Sequence, residues 1–312
     1  MEKEIILKEF VKRGYSLEDN CCVWDVSDSK LWYISEEQAK LFIKIEKIDE
    51  KQRKFKEEEI KLIRKNFKEI LKFIKNKKIN VIDLGCGDGK KAFELLSLIK
   101  KDCEIRYFPI DINKYMLQEA KKNLEKIKEV HFMKEKENLM NFFEIRKISN
   151  KIRDSNFRTH LFLLLGGTLE NCDVHELLYE IRSSMKEEDL LLIGNKLAHP
   201  SKKKMIDYYL NNDSIKNLLI KTLEIIGFKK KDLDYKVRFR KERIEMFFEV
   251  KKDYSFYTNK KKLEFKKGDK IIIAVSYKYN EDRFREILST YFDNVELFLS
   301  PKKDFVLALC MK

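Results

Sequence analysis

The sequence predicts an α/β fold: a Rossmann-like, mostly parallel sheet covered by helices, preceded by N-terminal helices and interrupted by an inserted α+β segment. Three observations predict it. Short apolar runs alternate with amphipathic stretches from Ile79 to Asn195. That alternation then gives way to a hairpin-like pattern before core-type elements resume near residue 273. Between the first apolar run and the helix after it stands Gly85-Cys86-Gly87-Asp88-Gly89.

Residues 1–78 read as a helical segment. Ser35 with Gln38 three residues on is a capping-box start ahead of Leu41, Phe42, Ile45 and Ile48. Ile60, Ile63, Phe67, Ile70, Leu71 and Ile74 then form a stripe at helical spacing, suited to packing on a sheet. Residues 79–196 are the core, with INVIDL, EIRYFPI, VHFM, THLFLLL and DLLLIGN as strands. In residues 197–272, a helical stretch to 227 has Asp213 as N-cap and Gly227 as its terminator. VRFR, RIEMFFEV, KLEF and KIIIAVSYKY follow as hairpin strands, with Lys267-Gly268-Asp269 as a turn. Residues 273–312 complete the core sheet through a helix over Glu281–Thr290 and the strands NVELFLS and FVLALCM. The insert reads as a lid that packs with the N-terminal helices.

Bulk properties narrow the function classes. The opening residues lack a secretory leader pattern, and no apolar run approaches the roughly 20 residues of a membrane span. A cytoplasmic protein without membrane contact is expected, and a monomer is favoured. Six cysteines form no C-x-x-C pair and only four histidines accompany them, so reduced thiols and no metal site are expected. The net charge of +14 points toward nucleic acid as a partner. Against that, the lysines interleave with glutamates, as solvated helix faces do. Lys202–Lys204, Lys229–Lys231 and Lys260–Lys262 fit binding patches and plain solubility alike.

The glycine motif carries the first chemistry. Alternating glycines let the backbone turn tightly and come close to a ligand, and the next helix offers free N–H groups at its start. Dinucleotide-binding domains prefer G-x-G-x-x-G. Gly85, Gly87 and Gly89 give G-x-G-x-G instead, the spacing of methyltransferases that use S-adenosylmethionine (SAM) and release S-adenosylhomocysteine. Asp83, before the turn, is placed to orient the cofactor's amino group, or serves only as a strand-end turn residue. Asp111, closing the second strand, is placed to accept from ribose hydroxyls, or caps the helix, a role Asn113 fills better. Glu135 lies where a side chain would reach the adenine. The fourth strand leads into Gly166-Gly167-Thr168-Leu169-Glu170-Asn171. Its glycines admit a close-approaching ligand, and Asn171 offers donor and acceptor groups, or simply makes a turn.

Gly166–Asn171 resembles the Gly-Gly/Ser-Thr-Ile-Gly-Asn motif of the histidine-specific Nα-methyltransferases of ergothioneine biosynthesis. Lys91 falls where that family has a lysine after its glycine loop, Arg243-Ile244-Glu245-Met246 is similar to its Arg-Ile-Glu-Met strand, and Ser276-Tyr277-Lys278-Tyr279 to its Ser-x-Lys-Tyr stretch. These pieces keep chain order from about 80 to 280. The resemblance implies a class I SAM-dependent methyltransferase in which Gly166 and Lys91 contact the cofactor. It also implies that Asn171 holds the acceptor's α-amine, Tyr208 or Tyr209 its carboxylate, and Ser276 its side chain, with Tyr33 as a further substrate tyrosine. The family's glutamate two residues before that serine is Ala274 here. Losing such a charge-assisted bond removes about 1.5–3 kcal/mol of grip on an imidazole. An amino acid or related small amine is therefore the expected acceptor, with histidine itself disfavoured by Ala274. Two rivals remain. One is an RNA or protein methyltransferase using the basic surface, although Gly166–Asn171 supplies neither an Asn/Asp-Pro-Pro-Tyr/Phe tetrapeptide nor a catalytic cysteine loop. The other is a SAM-binding protein without turnover, with which Ala274 also agrees.

Overall fold

The computed structural model describes residues 2–133, 144–258 and 261–312. In chain order these give α1 (Glu2–Arg13), β1 (Ser16–Glu18), β2 (Cys21–Asp25), α2 (Glu36–Ile48) and α3 (Glu50–Phe73). Next come β3 (Lys78–Leu84), α4 (Lys90–Ile99), β4 (Glu104–Ile110), α5 (Lys114–Leu124), β5 (Val130–Phe132) and α6 (Ile145–Ile152). After β6 (Thr159–Leu164), α7 (Val174–Ser184) and β7 (Leu190–Lys196) stand α8 (Lys202–Leu210) and α9 (Asp213–Ile226). The strands β8 (Leu233–Arg240), β9 (Arg243–Val250), β10 (Tyr254–Tyr257), β11 (Lys262–Phe265) and β12 (Lys270–Tyr277) follow. Helix α10 (Glu281–Tyr291) and the strands β13 (Asn294–Leu299) and β14 (Phe305–Met311) complete the series. Two compact units result: the residues up to Ile45 with His199–Lys278, and Glu46–Ala198 with Tyr279–Lys312.

In the second unit seven strands lie in the order β13-β14-β7-β6-β3-β4-β5. Strands β3 to β7 pair in parallel, whereas β14 runs against both β7 and β13. Every β3 residue from Ile79 to Leu84 is buried, as in a strand covered on both faces. Ile63 and Ile70 of α3 share one core cluster with Val81, Leu163, Leu192 and Leu307. The strand order reverses between β3 and β6, so a crevice forms outside their carboxyl ends, where such sheets take ligands. The unit is α/β with a mostly parallel central sheet, as the alternation of apolar runs requires.

The first unit holds a five-stranded sheet, β1-β2-β12-β9-β8, and a separate β10–β11 ladder. Phe10 of α1, Met205 of α8 and Leu223 of α9 pack with Trp24, Met246 and Phe248 in its core. Ser35 and Gln38 form the capping box: each accepts from the other's backbone N–H at 3.1 Å. The buried Gln38 amide also donates to Leu31 O and Thr222 Oγ1, at 3.1 and 3.0 Å.

Three local expectations are corrected. Residues 1–78 are not helical throughout, because β1 and β2 form a hairpin and β2 joins β12 in parallel. Its turn residues Asp19 and Asn20 both take positive φ, a hairpin signal short enough to pass unnoticed between helical patterns. The stretch 197–227 is two helices, and the cap of α9 is Asn212, whose side chain accepts from Ile215 N–H at 3.0 Å. Gly227 ends α9 in the left-handed region, as its sequence position implies. Finally, β11 and β12 flank the Lys267-Gly268-Asp269 turn without pairing; β11 pairs β10, and β12 lies between β9 and β2. Asp269 is the physical reason, since its carboxylate ties Lys266 N–H to Cys22 N–H and steers β12 toward β2. Among the described residues no helix is long and apolar enough to cross a membrane.

Candidate functional site

Strand β3 ends in Asp83 and Leu84 and runs into the glycine turn. Gly85 and Cys86 N–H both donate to Ile110 O at the end of β4, at 2.8 and 3.0 Å, which fixes the turn against the neighbouring strand. Gly87 and Gly89 take φ of 54° and 71°, a region glycine enters without strain. Their surroundings differ. A Cβ on Gly89 would lie 2.8 Å from Leu124 Cδ2 and 2.9 Å from Ala120 Cα, so this glycine admits α5. A Cβ on Gly87 would meet nothing within 4 Å, which leaves backbone open to a ligand.

Asp111 is buried beside that turn. Its Oδ2 accepts from Gly87 N–H at 3.0 Å and its Oδ1 from Asn113 N–H at 2.9 Å. Asn113 itself caps α5 by accepting from Tyr115 N–H at 2.9 Å, so Asp111 is not the cap. Burial pushes the Asp111 carboxyl up to about 6, although those N–H groups favour its anion. Asp83 is also buried, and its Oδ2 accepts from Tyr107 Oη at 2.6 Å. Burial outweighs that bond and pushes Asp83 up to about 7.

Lys91 stands in the first turn of α4. Its Nζ lies 3.7 Å from Glu46 Oε1 and 3.8 Å from Glu59 Oε2. Burial works against the ammonium, yet the two glutamates raise its pKa above the ordinary lysine value. Glu59 is 1% exposed, and its Oε1 accepts from Gly166 N–H at 2.9 Å. Burial raises the pKa of Glu59, while Lys91 and Lys56 hold Glu46 below the usual range despite its own burial. A methyl group on Gly166 would overlap the Lys91 ammonium, and one on Gly167 would crowd Glu170 Oε1. These two glycines therefore make room for side chains of their own unit. Asn171 ends the short 3₁₀ turn Leu169–Asn171, half-buried, and its Nδ2 donates to Gly167 O at 3.3 Å.

Asp83, Gly85, Gly87, Gly89, Lys91, Asp111, Gly166 and Asn171 thus gather at the carboxyl ends of β3, β4 and β6, all in the second unit. Tyr33, Tyr208, Tyr209 and Ser276 belong to the first. There Tyr209 Oη donates to Ser276 Oγ at 3.1 Å, and the Tyr208 and Tyr209 rings meet edge to face at 4.9 Å. Tyr33 packs edge to face on Phe42 at 5.1 Å. Ala274 pairs with Met246 and Ser276 with Ile244 across the β12–β9 ladder, so Ala274 and Ser276 share one face. Glu135 lies outside the described residues. Glu46, Glu59 and Tyr107 were missed in the sequence. For Glu59 a signal exists: it falls one turn before Ile63 on the apolar stripe of α3, a position that calls for a hydrocarbon side chain.

Known proteins give the following likenesses. A crystal structure of the PH0226 protein from Pyrococcus horikoshii OT3 superposes with a TM-score of 0.45 at 14% identity, covering 89% of this chain and 99% of that one. Human N-acetylserotonin methyltransferase in complex with SAM gives a TM-score of 0.37 at 14% identity, over 75% of this chain and 47% of that one. Ergothioneine biosynthesis protein 1 of Schizosaccharomyces pombe is 23% identical over 223 residues, which are 67% of this chain. The chain spans 29% of the length of that relative. The family match extends over residues 29–312 and so includes the glycine turn, Asp111, Asn171 and the Ser276 stretch. On that match over most of its length, the chain belongs to the SAM-dependent, histidine-specific methyltransferase family.

Proposed function

We propose that this chain moves the methyl group of SAM to the amine nitrogen of an amino acid or a related small molecule, and that histidine is not its preferred acceptor. The observation that carries the reading is the open backbone at Gly87 beside the buried Asp111 carboxylate. A nucleoside presents ribose hydroxyls to such a carboxylate and passes close to such a glycine, so these residues fit SAM. SAM would supply an electrophilic methyl carbon on a sulfonium, open to in-line attack by a nucleophile about 3–3.5 Å away, with S-adenosylhomocysteine as the leaving group. The chain's contribution is to bind and orient. Asp111 accepts from the ribose, Lys91 faces the carboxylate of the methionine end, and Asn171 holds the acceptor amine with its lone pair free. An ammonium has no lone pair, so a proton leaves before attack and passes to water or a nearby carboxylate.

The choice of acceptor turns on Ala274. It is fully buried and pairs with Met246 across the β12–β9 ladder, so the carboxylate that would grip an imidazole is replaced by hydrocarbon. The test is transfer of labelled methyl from SAM into a host extract separated by size, followed by single amines. Label in the small-molecule fraction, with histidine a poor acceptor among amino acids, is the expected result. Label only in nuclease- or protease-sensitive material would overturn it.

A further inference from the structure

We infer that Glu59 is a positioning residue for cofactor recognition: it sets the Lys91 ammonium against the end of β6, where it meets the carboxylate at the amino-acid end of SAM. This deepens the reading above and rests on it. Four observations carry it. Glu59 is buried on the sheet-facing stripe of α3, where a carboxylate is costly unless it has a task. Its two oxygens divide their work, Oε1 accepting from Gly166 N–H at 2.9 Å and Oε2 standing 3.8 Å from Lys91 Nζ. Room for the arrangement comes from two glycines, since a methyl on Gly194 would overlap Glu59 Oε1 and one on Gly166 would overlap Lys91 Nζ. Lastly, Lys91 lies 3.7 and 3.8 Å from Glu46 and Glu59, which is attraction without a direct hydrogen bond. The ammonium is thus held in place by charge while its N–H donors stay available for a ligand carboxylate. At 1% exposure Glu59 acts through Lys91 and not by touching the ligand.

Three ligands separate this role from a structural one. S-adenosylhomocysteine carries the whole amino-acid end, decarboxylated SAM keeps the amine but lacks the carboxylate, and 5′-methylthioadenosine lacks both. By calorimetry, Glu59→Gln should weaken S-adenosylhomocysteine by roughly ten- to a hundredfold. It should leave the other two ligands within about twofold, a difference under half a kcal/mol. In a Lys91→Met background the same substitution should add nothing. Gly194→Ala, which displaces the Glu59 carboxylate without touching its charge, should reproduce the pattern. An equal loss for S-adenosylhomocysteine and methylthioadenosine would make Glu59 merely structural and overturn the proposal. A loss shared with decarboxylated SAM would assign Glu59 to the amine directly and overturn it as well. If the unaltered protein binds none of the three, the SAM reading itself fails, a result distinct from either.

Discussion

Asp83 and Asp111 place two buried carboxylates side by side at the mouth of one crevice, and their titration can be followed separately. Asp83 sits at about 7 in the folded chain against an ordinary 3.8. A raised carboxyl means that the folded chain binds more protons than the unfolded one between those values. The stability contributed by protonated Asp83 is complete below about pH 4 and is lost as pH rises through about 7. Asp83→Asn should therefore leave the melting temperature of the ligand-free protein unchanged near pH 4 and raise it at pH 8, by a stability gain on the order of a few kcal/mol. Thermal scans at the two pH values check this, and a lower melting temperature at pH 8 would mean that ionised Asp83 is stabilised by its neighbours after all. Asp111 makes a binding prediction instead. On the proposed role of Asp111 its anion accepts from the ribose, so affinity for S-adenosylhomocysteine should fall as pH drops through about 6. Asp111→Ala should lose affinity and that pH dependence together in calorimetry, and a variant that binds normally would remove Asp111 from the site.

At the scale of elements, the proposed function gives the glycine turn two jobs that a binding assay and a melting curve will tell apart. Gly89→Ala should cost a few kcal/mol of stability, since it adds overlap with α5 to the strain of a left-handed residue. Gly87→Ala should cost only the backbone strain, about 1–2 kcal/mol, yet abolish cofactor binding. Equal binding losses at matched stability would place the ligand elsewhere. The same contrast explains what could be read from the chain alone. Core strands were legible because burial on both faces forces continuous apolar runs, and the glycine turn because its spacing is rigid. The β1–β2 hairpin was not, for it depends on pairing with β12, far along the chain. Nor were the partners of Gly166 and Gly194: a glycine announces that space is needed, while what fills it, here Lys91 and Glu59, arrives from other elements. Ser276 was found by resemblance, and only the structure shows Tyr209 donating to it.

For the molecule as a whole, the charge of +14 is the property most open to misreading. Many of its cations are already engaged, as Lys56 is with Glu46 and Asp88, and Arg238 with Glu18 and Glu245. A small zwitterionic acceptor should accordingly show a KM that shifts by less than about threefold between 50 and 200 mM salt, well below the roughly 10³-fold or larger loss for a protein making several phosphate contacts. Steady-state kinetics at both salt levels decide it, and a steep salt slope would return nucleic acid to the front. The antiparallel β14 strand bears on how such a chain is made. Among the described residues the outer edge of β7 pairs with β14, through pairs such as Ile193 with Ala308. Between the two the ribosome must produce all of His199–Lys278, α10 and β13. At roughly 5–20 residues per second that takes about 5–20 s. Throughout that time the nascent sheet exposes an unpaired edge bearing Leu190, Leu191, Leu192 and Ile193, a surface on which chaperones and neighbouring nascent chains compete.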